Sequence, residues 1–253
     1  MQKITQKIYY DDPFLTKIEA KVIDITPKGI VLDKTISFPE GGGQEGDKGV
    51  LIIKKTNEEI PFIDTKKGVG RVIFLNDFPT ISVDTPIYHV VEESSLKKFK
   101  IGMEVIVKID IKRRALLSAS HSATHLMLMG IEKFYGEYES KVYGCHIKVD
   151  GGRLDFRTKE KFDADTIKKI EEYINKELIK PKLDIKTYRH PKEKEALYWE
   201  CNSVIYPCGG MHLINTSGLK SITLKKKGLG KNGQRVSFTM EANLSEFIGL
   251  YHE

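Results

Sequence analysis

The fold is decided by residues 102–136, which read GMEVIVKIDIKRRALLSASHSATHLMLMGIEKFYG. Apolar and polar residues alternate from Gly102 to Asp110, and this period is typical of a strand that is buried on one face. After Lys112 the small or apolar residues recur at helical spacing, at positions 116, 119, 123, 127, 130 and 134. We therefore expect the last strand of one domain to end near residue 111 and a helix to follow from about 112 to 135.

The segment before this junction, residues 1–111, predicts a β-rich domain. Residues 50–53 and 71–75 are compact apolar runs, and residues 17–24 alternate in part between apolar and polar. Turn residues separate these runs, for example at 76–79. The pattern favours a small barrel-like domain or a sandwich.

The segment after the junction, residues 112–253, predicts an α+β domain. A second helix is expected between Asp163 and Ile179, with Asp163 or Asp165 as its N-cap and Pro181 as its stop. Candidate strands surround the two helices, at 143–149, 153–156, 183–188, 221–226 and 236–240. The expected fold class is therefore α+β, with a β-rich, barrel-like N-terminal domain followed by an α+β domain.

The composition excludes several classes of protein. The chain has 253 residues, of which 40% are hydrophobic and 30% charged, so it can bury a core and is not disordered throughout. No apolar run approaches the roughly 18 residues that span a bilayer, and no signal-peptide core follows the N-terminus. Three cysteines are too few for a disulfide framework, which favours a reducing cytoplasm. The net charge of +6 is compatible with a polyanionic partner but does not require one.

Two histidines on the predicted helix, His121 and His125, lie four residues apart, so one helical turn brings both imidazoles to one face. At roughly 100° per residue, this face points roughly 140–180° away from the apolar stripe that begins at Leu116. We therefore expect the pair to serve a second surface rather than the packing of the helix. The spacing alone also fits a pair of ordinary core or surface histidines.

A cysteine and a histidine, Cys208 and His212, are also four residues apart and flank Gly209 and Gly210. Glycines allow a tight loop that points both side chains at one spot. Together with the two helix histidines they form a ligand set that fits tetrahedral Zn²⁺, in a catalytic or only a stabilising role. The two pairs are too distant in sequence for a zinc finger. Ser122 stands where a His-Glu-x-x-His metalloprotease has its glutamate, which argues against that class.

Residues 38–49, FPEGGGQEGDKG, contain five glycines. Backbone without Cβ atoms suits either a tight turn between strands or the close approach of a ligand. No Gly-Lys-Ser/Thr and no helix of suitable spacing follow these glycines, so neither a P-loop nor a dinucleotide-binding motif is supported.

Several blocks follow one another along the chain: Asp33–Thr35, Pro39–Gln44, Gly46, Asp47, Gly49, Arg113, His121, Ala123–Leu126, Cys208–Gly210 and His212. In this order they resemble the editing domain of alanyl-tRNA synthetase, and above all its freestanding relatives, the alanyl-tRNA editing proteins. The resemblance covers about residues 30 to 240. The histidine and cysteine pairs alone also resemble the second additional domain of threonyl-tRNA synthetase, whereas the triple-glycine-glutamine block favours the alanyl branch.

The resemblance implies a zinc-dependent hydrolase that acts on mischarged tRNA. The zinc ligands that it implies are His121, His125, Cys208 and His212. Thr35 and Gln44 would line the pocket and act in catalysis with the two helix histidines, and the substrate contacts would be Gly41, Gly42, Gly43, Asp47 and Met211. Met211 replaces the usual threonine of the family and Ser37 an aromatic residue, and both departures bear on pocket shape and amino-acid preference.

We therefore expect a trans-editing deacylase for mischarged tRNA(Ala) that does not charge tRNA. Serine is the first candidate for the amino acid removed, with its hydroxyl bound by Thr35, and glycine is the second. The alternatives are a zinc-stabilised RNA-binding module without catalysis, a threonyl-type editing domain, and a metal-dependent hydrolase of small esters. Whether zinc activates water or orients the substrate stays open, as do the recognition of tRNA(Ala) and the oligomeric state.

Two basic segments are candidate contacts for the tRNA. One comprises Lys225–Lys227, Lys231 and Arg235, and the other comprises Lys182, Lys186, Arg189, Lys192 and Lys194. Either segment could instead be an ordinary solvated face. Because Gly41–Gln44 and the zinc ligands come from different predicted domains, the acceptor end is expected to enter a cleft between them. No membrane partner is expected.

Overall fold

The computed structural model describes residues 3–76 and 78–253. Met1 and Gln2, where the predicted N-terminal domain begins, and Asp77, in the predicted turn at 76–79, lie outside the described residues. The strands are, in chain order, Gln6–Lys7 (β1), Lys17–Thr26 (β2), Gly29–Leu32 (β3), Lys34–Thr35 (β4), Gly49–Ile53 (β5), Glu58–Lys67 (β6), Arg71–Leu75 (β7), Phe78–Val83 (β8), Ile87–Val91 (β9), Glu104–Ile109 (β10), Val142–Lys148 (β11), Gly151–Arg157 (β12), Ile185–His190 (β13), Glu193–Cys201 (β14), Val204–Pro207 (β15), Leu219–Gly228 (β16) and Gly233–Ala242 (β17). The α-helices are Glu93–Leu96 (α1), Ile111–Tyr135 (α2), Ala164–Tyr173 (α3) and Ser245–Ile248 (α4); Ile174–Ile179 is π-helical, and Ile8–Tyr10, Glu139–Lys141 and Thr216–Gly218 are 3₁₀ turns.

A closed barrel forms the first half of the fold. Its strands pair in the order β10, β2, β3, β9, β6, β5, and β10 closes the ring because it pairs with both β2 and β5. Alternate apolar side chains fill the interior, among them Leu51, Phe62 and Val105. The barrel-like prediction is thus confirmed, including the strand that ends at Ile109.

Strands β1, β3, β4, β6, β8 and β9 have no counterpart in the sequence prediction. In β6 the two buried apolar residues Ile60 and Phe62 are separated by Pro61, and a register shift between Phe62 and Asp64 breaks the alternation. A bulge of this kind adds a residue to one strand, so a strict period of two misses it.

Helix α2 matches the predicted helix closely. Asp110 caps it by accepting a hydrogen bond from the Arg113 backbone N–H, and Gly136 ends it with a φ of 79°. The expected single packing face is wrong, however, because α2 is buried on nearly every side from Arg114 to Ile131. It packs against α3, against the sheet that contains β11 and β12, and against α4. A helix enclosed in this way carries apolar or small residues around its whole circumference. The sequence pattern therefore does not reveal every face that packs against the core.

An antiparallel sheet in the order β11, β12, β17, β16 and a second one in the order β13, β14, β15 complete the fold. The predicted second helix is confirmed, with Asp163 as its cap, although its last six residues are π-helical rather than α-helical. Strands β14 and β15 were not predicted, and they carry Trp199 and Tyr206. These observations agree with an α+β class in which strands dominate.

Three hydrophobic clusters are present among the described residues: one inside the barrel, one around α2, and a small one formed by Tyr9, Phe38 and Met211. The C-terminal segment returns to the N-terminal one, where Phe14 packs edge-on against Phe247 and Tyr251. The division into domains at residue 111 stays a prediction. Within residues 3–76 and 78–253, no helix is long and apolar enough to cross a membrane.

Candidate metal centre and its cavity

The four predicted metal ligands meet at one point of the structure. Helix α2 brings the His121 and His125 rings to a stacked distance of 5.2 Å, and the loop after β15 supplies Cys208 and His212. Cys208 Sγ lies 3.4 Å from His121 Nε2 and 3.3 Å from His212 Nε2. One ligand atom from each of the four residues lies within 4.8 Å of the others. Two pairs that are remote in sequence thus form one cluster.

The loop that carries Cys208 and His212 is fixed to its neighbours by backbone hydrogen bonds. The Cys208 N–H donates to the Leu197 carbonyl of β14 at 2.8 Å. The Leu213 N–H donates to the Ser122 hydroxyl of α2 at 3.0 Å. Ser122, the residue that argued against a metalloprotease, therefore ties the second ligand pair to the helix of the first.

Burial sets the protonation of the cluster. It lowers the pKa of His121 to about 3 and holds the pKa values of His125 and His212 well below their ordinary range. It also raises the pKa of the Cys208 thiol to about 12. The imidazoles are neutral, as metal ligands must be, whereas burial disfavours the charged thiolate of Cys208. A thiolate needs a positive charge close to it. A divalent cation would supply that charge.

The donor set fits Zn²⁺, which binds imidazole nitrogen and thiolate sulfur in groups of four. His125 Nε2 is buried and has no hydrogen-bond partner in the part of the chain that the structure describes. A buried nitrogen without a partner is costly unless something binds it. The residues present therefore fit the metal that the sequence suggests.

Gln44 fixes the tautomer of His121. Its Oε1 atom accepts hydrogen bonds from the Met211 backbone N–H at 3.1 Å and from His121 Nδ1 at 2.7 Å. A backbone N–H can only donate, so the atom that faces it is the amide oxygen. His121 Nδ1 must then carry the ring proton, which leaves the Nε2 lone pair directed at the cluster.

Gly210 makes the contact between Gln44 and His121 possible. A Cβ atom at this position would lie 2.1 Å from His121 Cε1 and 3.1 Å from Gln44 Oε1. Real Cβ atoms do not approach other atoms that closely, so only glycine leaves room for the ring. The need for glycine at Gly210 is thus one of space, whereas the sequence suggested only a tight loop.

Aromatic side chains support His125 from behind. Its ring stacks on Trp199 at 4.6 Å and on Tyr206 at 5.3 Å. The Tyr206 hydroxyl donates to Glu132 Oε2 at 2.6 Å, which anchors the stack to α2. Sequence reasoning missed both aromatic residues, because nothing local marks β14 and β15 as neighbours of the histidines.

The glycine-rich loop forms the opposite wall. Gly41 and Gln44 exchange backbone hydrogen bonds of 3.1 and 3.0 Å across a tight turn. The Ile147 N–H of β11 donates to Gly43 O at 2.7 Å, so the loop is docked on that strand. A Cβ atom on Gly43 would lie 2.7 Å from the Cys145 carbonyl oxygen, which requires glycine there. The loop thus joins the barrel to the sheet of β11.

A cavity of about 420 Å³ lies between this loop and the cluster. Five predicted residues line it: Gly41, Gly42, His121, His125 and Cys208. Lining residues that sequence reasoning missed include Tyr10, Phe78, Pro79, Thr124, Cys145 and Glu195. Gly42 has a φ of 58° and nothing within 4 Å of the place where a Cβ would be, so a ligand can approach its backbone.

Thr35 does not line this cavity, contrary to what the resemblance implies. Its side chain is fully buried, its hydroxyl lies 2.8 Å from His89 Nε2, and it accepts a hydrogen bond from the Ser37 N–H at 3.0 Å. His89 Nδ1 faces the Ile30 carbonyl at 3.2 Å, so it carries the ring proton and Nε2 accepts from Thr35. The hydroxyl is therefore committed inside the barrel.

Asp47 is also placed away from the cavity. Its carboxylate forms a buried ion pair with Arg114 of α2, and both side chains are 1% exposed. It also accepts a hydrogen bond from the Phe38 N–H at 2.7 Å. These partners explain why Asp47 supports the loop instead of contacting a ligand, and they correct the predicted substrate contact.

Met211 and Gly43 likewise have structural surroundings. Met211 is 4% exposed and packs with Tyr9 and Phe38 behind the cluster, in a separate hollow from the cavity. Gly43 faces Cys145, as described above. Neither residue lines the cavity, so the predicted substrate contacts reduce to Gly41 and Gly42.

Comparison with known proteins gives this site a relative of the same length. The chain is 27% identical over 246 residues to the alanyl-tRNA editing protein AlaX-M of Pyrococcus horikoshii, which covers 95% of this chain and 100% of that protein. It is 30% identical to the alanine–tRNA ligase of Staphylothermus marinus and 31% identical to that of Sulfurisphaera tokodaii. The chain is a homologue of alanyl-tRNA editing proteins and alanyl-tRNA synthetases.

The homology confirms the resemblance that the sequence blocks indicated. The two ligase matches cover 96% and 88% of this chain but 27% and 25% of the ligases, so the chain spans about a quarter of their length. No protein-family model matches the chain.

Proposed function

We propose that this chain is a trans-acting deacylase that hydrolyses the ester bond between a wrongly attached amino acid and tRNA. The observation that carries the proposal is the meeting of His121, His125, Cys208 and His212 within 4.8 Å at the edge of a cavity. The homologue of equal length is an alanyl-tRNA editing protein by name, and this supports the same activity here. Such an enzyme would act in the cytoplasm, where tRNA is used.

The proposed substrate is tRNA(Ala) that carries serine, with glycine as the second candidate. The relatives described above are alanyl proteins, which favours tRNA(Ala) over the substrate of a threonyl-type domain. The acceptor end would enter the cavity between the Gly41–Gly42 corner and the cluster, because these two walls enclose it.

Bound Zn²⁺ would polarise the ester carbonyl and stabilise the charge that develops on its oxygen. The residues of the chain prepare for this in three ways. Burial keeps the three imidazoles neutral, Gln44 directs His121 Nε2 toward the cluster, and Gly42 leaves its backbone open to the substrate. Tyr10, Phe78 and Leu128 in the cavity wall would exclude bulk water from the ester.

The test compares hydrolysis of seryl-, glycyl- and alanyl-tRNA(Ala), with threonyl-tRNA as the control for the other branch. Four protein ligands are also what a closed, stabilising zinc site has, so zinc content and folding are measured in the same samples. We expect one zinc per chain and hydrolysis of seryl-tRNA(Ala) ahead of alanyl-tRNA(Ala).

Two cysteine variants form a matched pair for this test. Cys208→Ala removes a cluster ligand, whereas Cys201→Ala changes a buried cysteine of β14 outside the cluster. We expect the first variant to lose zinc and hydrolysis and the second to keep both. A wild-type protein that binds zinc and tRNA but hydrolyses none of the esters would be a non-catalytic RNA-binding module. Hydrolysis at the wild-type rate by zinc-free Cys208→Ala would refute the role of the cluster.

A further inference from the structure

The sheet formed by β11, β12, β17 and β16 has one buried and one open face. Leu154, Val236 and Leu224 point into the core around α2. Directly opposite residues of an antiparallel sheet share a face, so the strand register identifies the rows of the open face. One row contains His146, Arg153, Ser237 and Lys225, and the next contains Gly144, Asp155, Arg235 and Lys227.

We call Arg153, Lys225, Lys227 and Arg235 the basic face. The Asp155 carboxylate lies at its centre and is 9% exposed. It accepts from Arg153 Nη1 at 2.7 Å, and from Arg235 Nε and Nη2 at 2.6 and 2.8 Å. One buried carboxylate thus holds two guanidinium groups in fixed positions and neutralises only one of them.

The two lysines of the basic face carry the remaining charge. Lys225 and Lys227 are exposed, and neither forms an ion pair with any residue in 3–76 or 78–253. Other acidic groups lie at the margins: Glu45 near His146 at 3.4 Å, Asp150 paired with Lys148 at 2.9 Å, and Glu241 further along β17. The centre of the face therefore stays positive.

The basic face also has a shape and polarity suited to a polar ligand. A hollow of about 220 Å³ lies on it. Its lining consists of His146, Lys148, Arg153, Lys225, the hydroxyl residues Thr223, Ser237 and Thr239, and also Gly152 and Phe238. Cations interspersed with hydroxyl groups are the side chains that contact phosphate oxygens. The centres of protein–protein interfaces are depleted of charged residues, whereas Arg153 and Lys225 line this hollow, which favours a phosphate-bearing ligand over a protein partner.

The basic face adjoins the cavity of the metal centre. Strand β11 is the edge strand of the sheet, with His146 on the basic face and Cys145 in the cavity wall. The glycine-rich loop docks on the same strand, through the pairing of Gln44 with Ile147. A nucleic acid strand that lies on the basic face would therefore pass β11 and the loop docked on it to place its end in the cavity.

We propose that the basic face binds the sugar–phosphate backbone of the tRNA arm whose 3′ end enters the cavity. This inference rests on the proposed function. Neighbouring strands lie about 4.8 Å apart, and successive rows lie about 7 Å apart along the strands, so the positive charge is distributed over the sheet. A phosphate backbone rewards such dispersed charge.

The structure divides the basic segment that the sequence grouped together. Lys225 and Lys227 lie on the basic face, whereas Lys226 pairs with buried Val236 and points to the side of Leu224. Lys220 lies at a register shift at the start of β16, also outside the rows of the basic face. Lys220 and Lys226 thus offer a control with the same change of charge.

The experiment measures the affinity of the full chain for tRNA(Ala) as a function of salt concentration. Two variants are compared, Lys225→Gln/Lys227→Gln and Lys220→Gln/Lys226→Gln. Removing one lysine–phosphate interaction weakens binding roughly fivefold near 0.1 M salt, so the first variant should bind on the order of 25-fold more weakly. Its salt slope should fall by about 2, since each such interaction contributes about 1. The second variant should resemble the wild type in both quantities.

Two further measurements separate this inference from its alternatives. A seryl ester of adenosine carries no phosphate, so it cannot make the contacts proposed for the basic face, and both variants should hydrolyse it as the wild type does. Polyglutamate, a polyanion without phosphate, should compete poorly with tRNA for the wild-type protein.

Equal losses in both double variants would mean that net charge alone matters, and no loss in either would mean that the face is only solvated; both results overturn the inference. Strong competition by polyglutamate would point to an acidic protein partner and would also overturn it. If the wild type hydrolyses neither seryl-tRNA(Ala) nor the short seryl ester, but Lys225→Gln/Lys227→Gln still binds tRNA more weakly, then the proposed function fails while the proposed binding surface stands.

Discussion

Gln44 offers the sharpest test of how the metal centre is built. Gln44→Met keeps the length and approximate volume of the side chain but removes the oxygen that accepts from His121 Nδ1 and from the Met211 N–H. Without this acceptor, His121 can move its proton to Nε2, the nitrogen that faces Cys208 Sγ. A protonated Nε2 cannot bind a metal.

Two effects follow, and their sizes can be estimated. A buried donor left without a partner costs about 1–3 kcal/mol, so the loss of both hydrogen bonds alone would cost about 2–6 kcal/mol. Gln44 Nε2 is itself buried without a partner among the described residues, and its removal offsets part of this loss, so we expect the metal-free protein to be destabilised by about 2–4 kcal/mol. Loss of the group that orients a ligating histidine weakens metal affinity by about 10- to 100-fold. That factor corresponds to about 1.4–2.7 kcal/mol.

Zinc affinity is measured by competition with a chelator at fixed pH, and stability by urea unfolding of the metal-free protein. Gln234→Met is the matched control, since Gln234 is also a buried glutamine but lies on β17 away from the cluster. If Gln44→Met binds zinc as tightly as the wild type, Gln44 does not set the tautomer of His121 and the argument is wrong. If Gln44→Met and Gln234→Met lose the same stability, the hydrogen bonds of Gln44 to His121 and Met211 do not contribute more than the burial of any glutamine.

Three other variants test the buried surroundings of the site. Thr35→Val leaves the Ser37 N–H and His89 Nε2 without a partner, so it should lower the free energy of unfolding, measured in urea, by about 1–3 kcal/mol. The ratio of kcat/KM for seryl- and alanyl-tRNA(Ala) should stay unchanged. A changed ratio at unchanged stability would restore the role in the pocket that the resemblance implies. Burial lowers the pKa of His89 to about 4, so the folded state binds fewer protons than the unfolded state between about pH 6.5 and pH 4. The free energy of unfolding therefore decreases as the pH is lowered from about 6.5 to 4. His89→Gln should remove up to about 3 kcal/mol of this acid-dependent decrease in stability. If the free energy of unfolding of variant and wild type depends on pH in the same way, His89 is not its cause. Gly210→Ala must displace the His121 ring, so we expect zinc content to fall in elemental analysis while circular dichroism stays near that of the wild type; full zinc occupancy would show that the loop can yield.

The ligand set of the site could be predicted from the sequence because its signals are local. His121 and His125 share a helix whose period and cap are visible in one stretch, and Cys208 and His212 flank a pair of glycines. Imidazole and thiolate groups in such pairs identify a metal by their chemistry. The convergence of the two pairs depends on Ser122 and β14, which no local pattern reveals.

The roles of the predicted pocket residues could not be predicted from the sequence, because they depend on partners that are distant along the chain. Thr35 is 54 positions from His89, and its hydroxyl could serve either a ligand or that ring. Gln44 was expected in the pocket wall, yet its contacts include a candidate metal ligand, His121, 77 positions away. Residue type was informative at these positions, whereas the choice between contacting a ligand and holding the scaffold required the tertiary structure.

The ion pair of Asp47 and Arg114 shows why a polar residue in a glycine-rich motif need not touch the substrate. Arg114 also donates to the Ile36 and Pro13 carbonyls, so one buried guanidinium joins α2 to the start of the loop. Breaking such a buried ion pair by removing one partner costs about 3–5 kcal/mol. Other arrangements of α2 and the start of the loop, in which the pair is broken, are therefore disfavoured. Arg114 lies about two helical turns before His121, roughly 10 Å along the axis of α2. The same helix therefore positions a candidate metal ligand and anchors the loop that forms the opposite cavity wall. The distance between Gly42 and the cluster is thus set by a buried carboxylate that no substrate needs to reach.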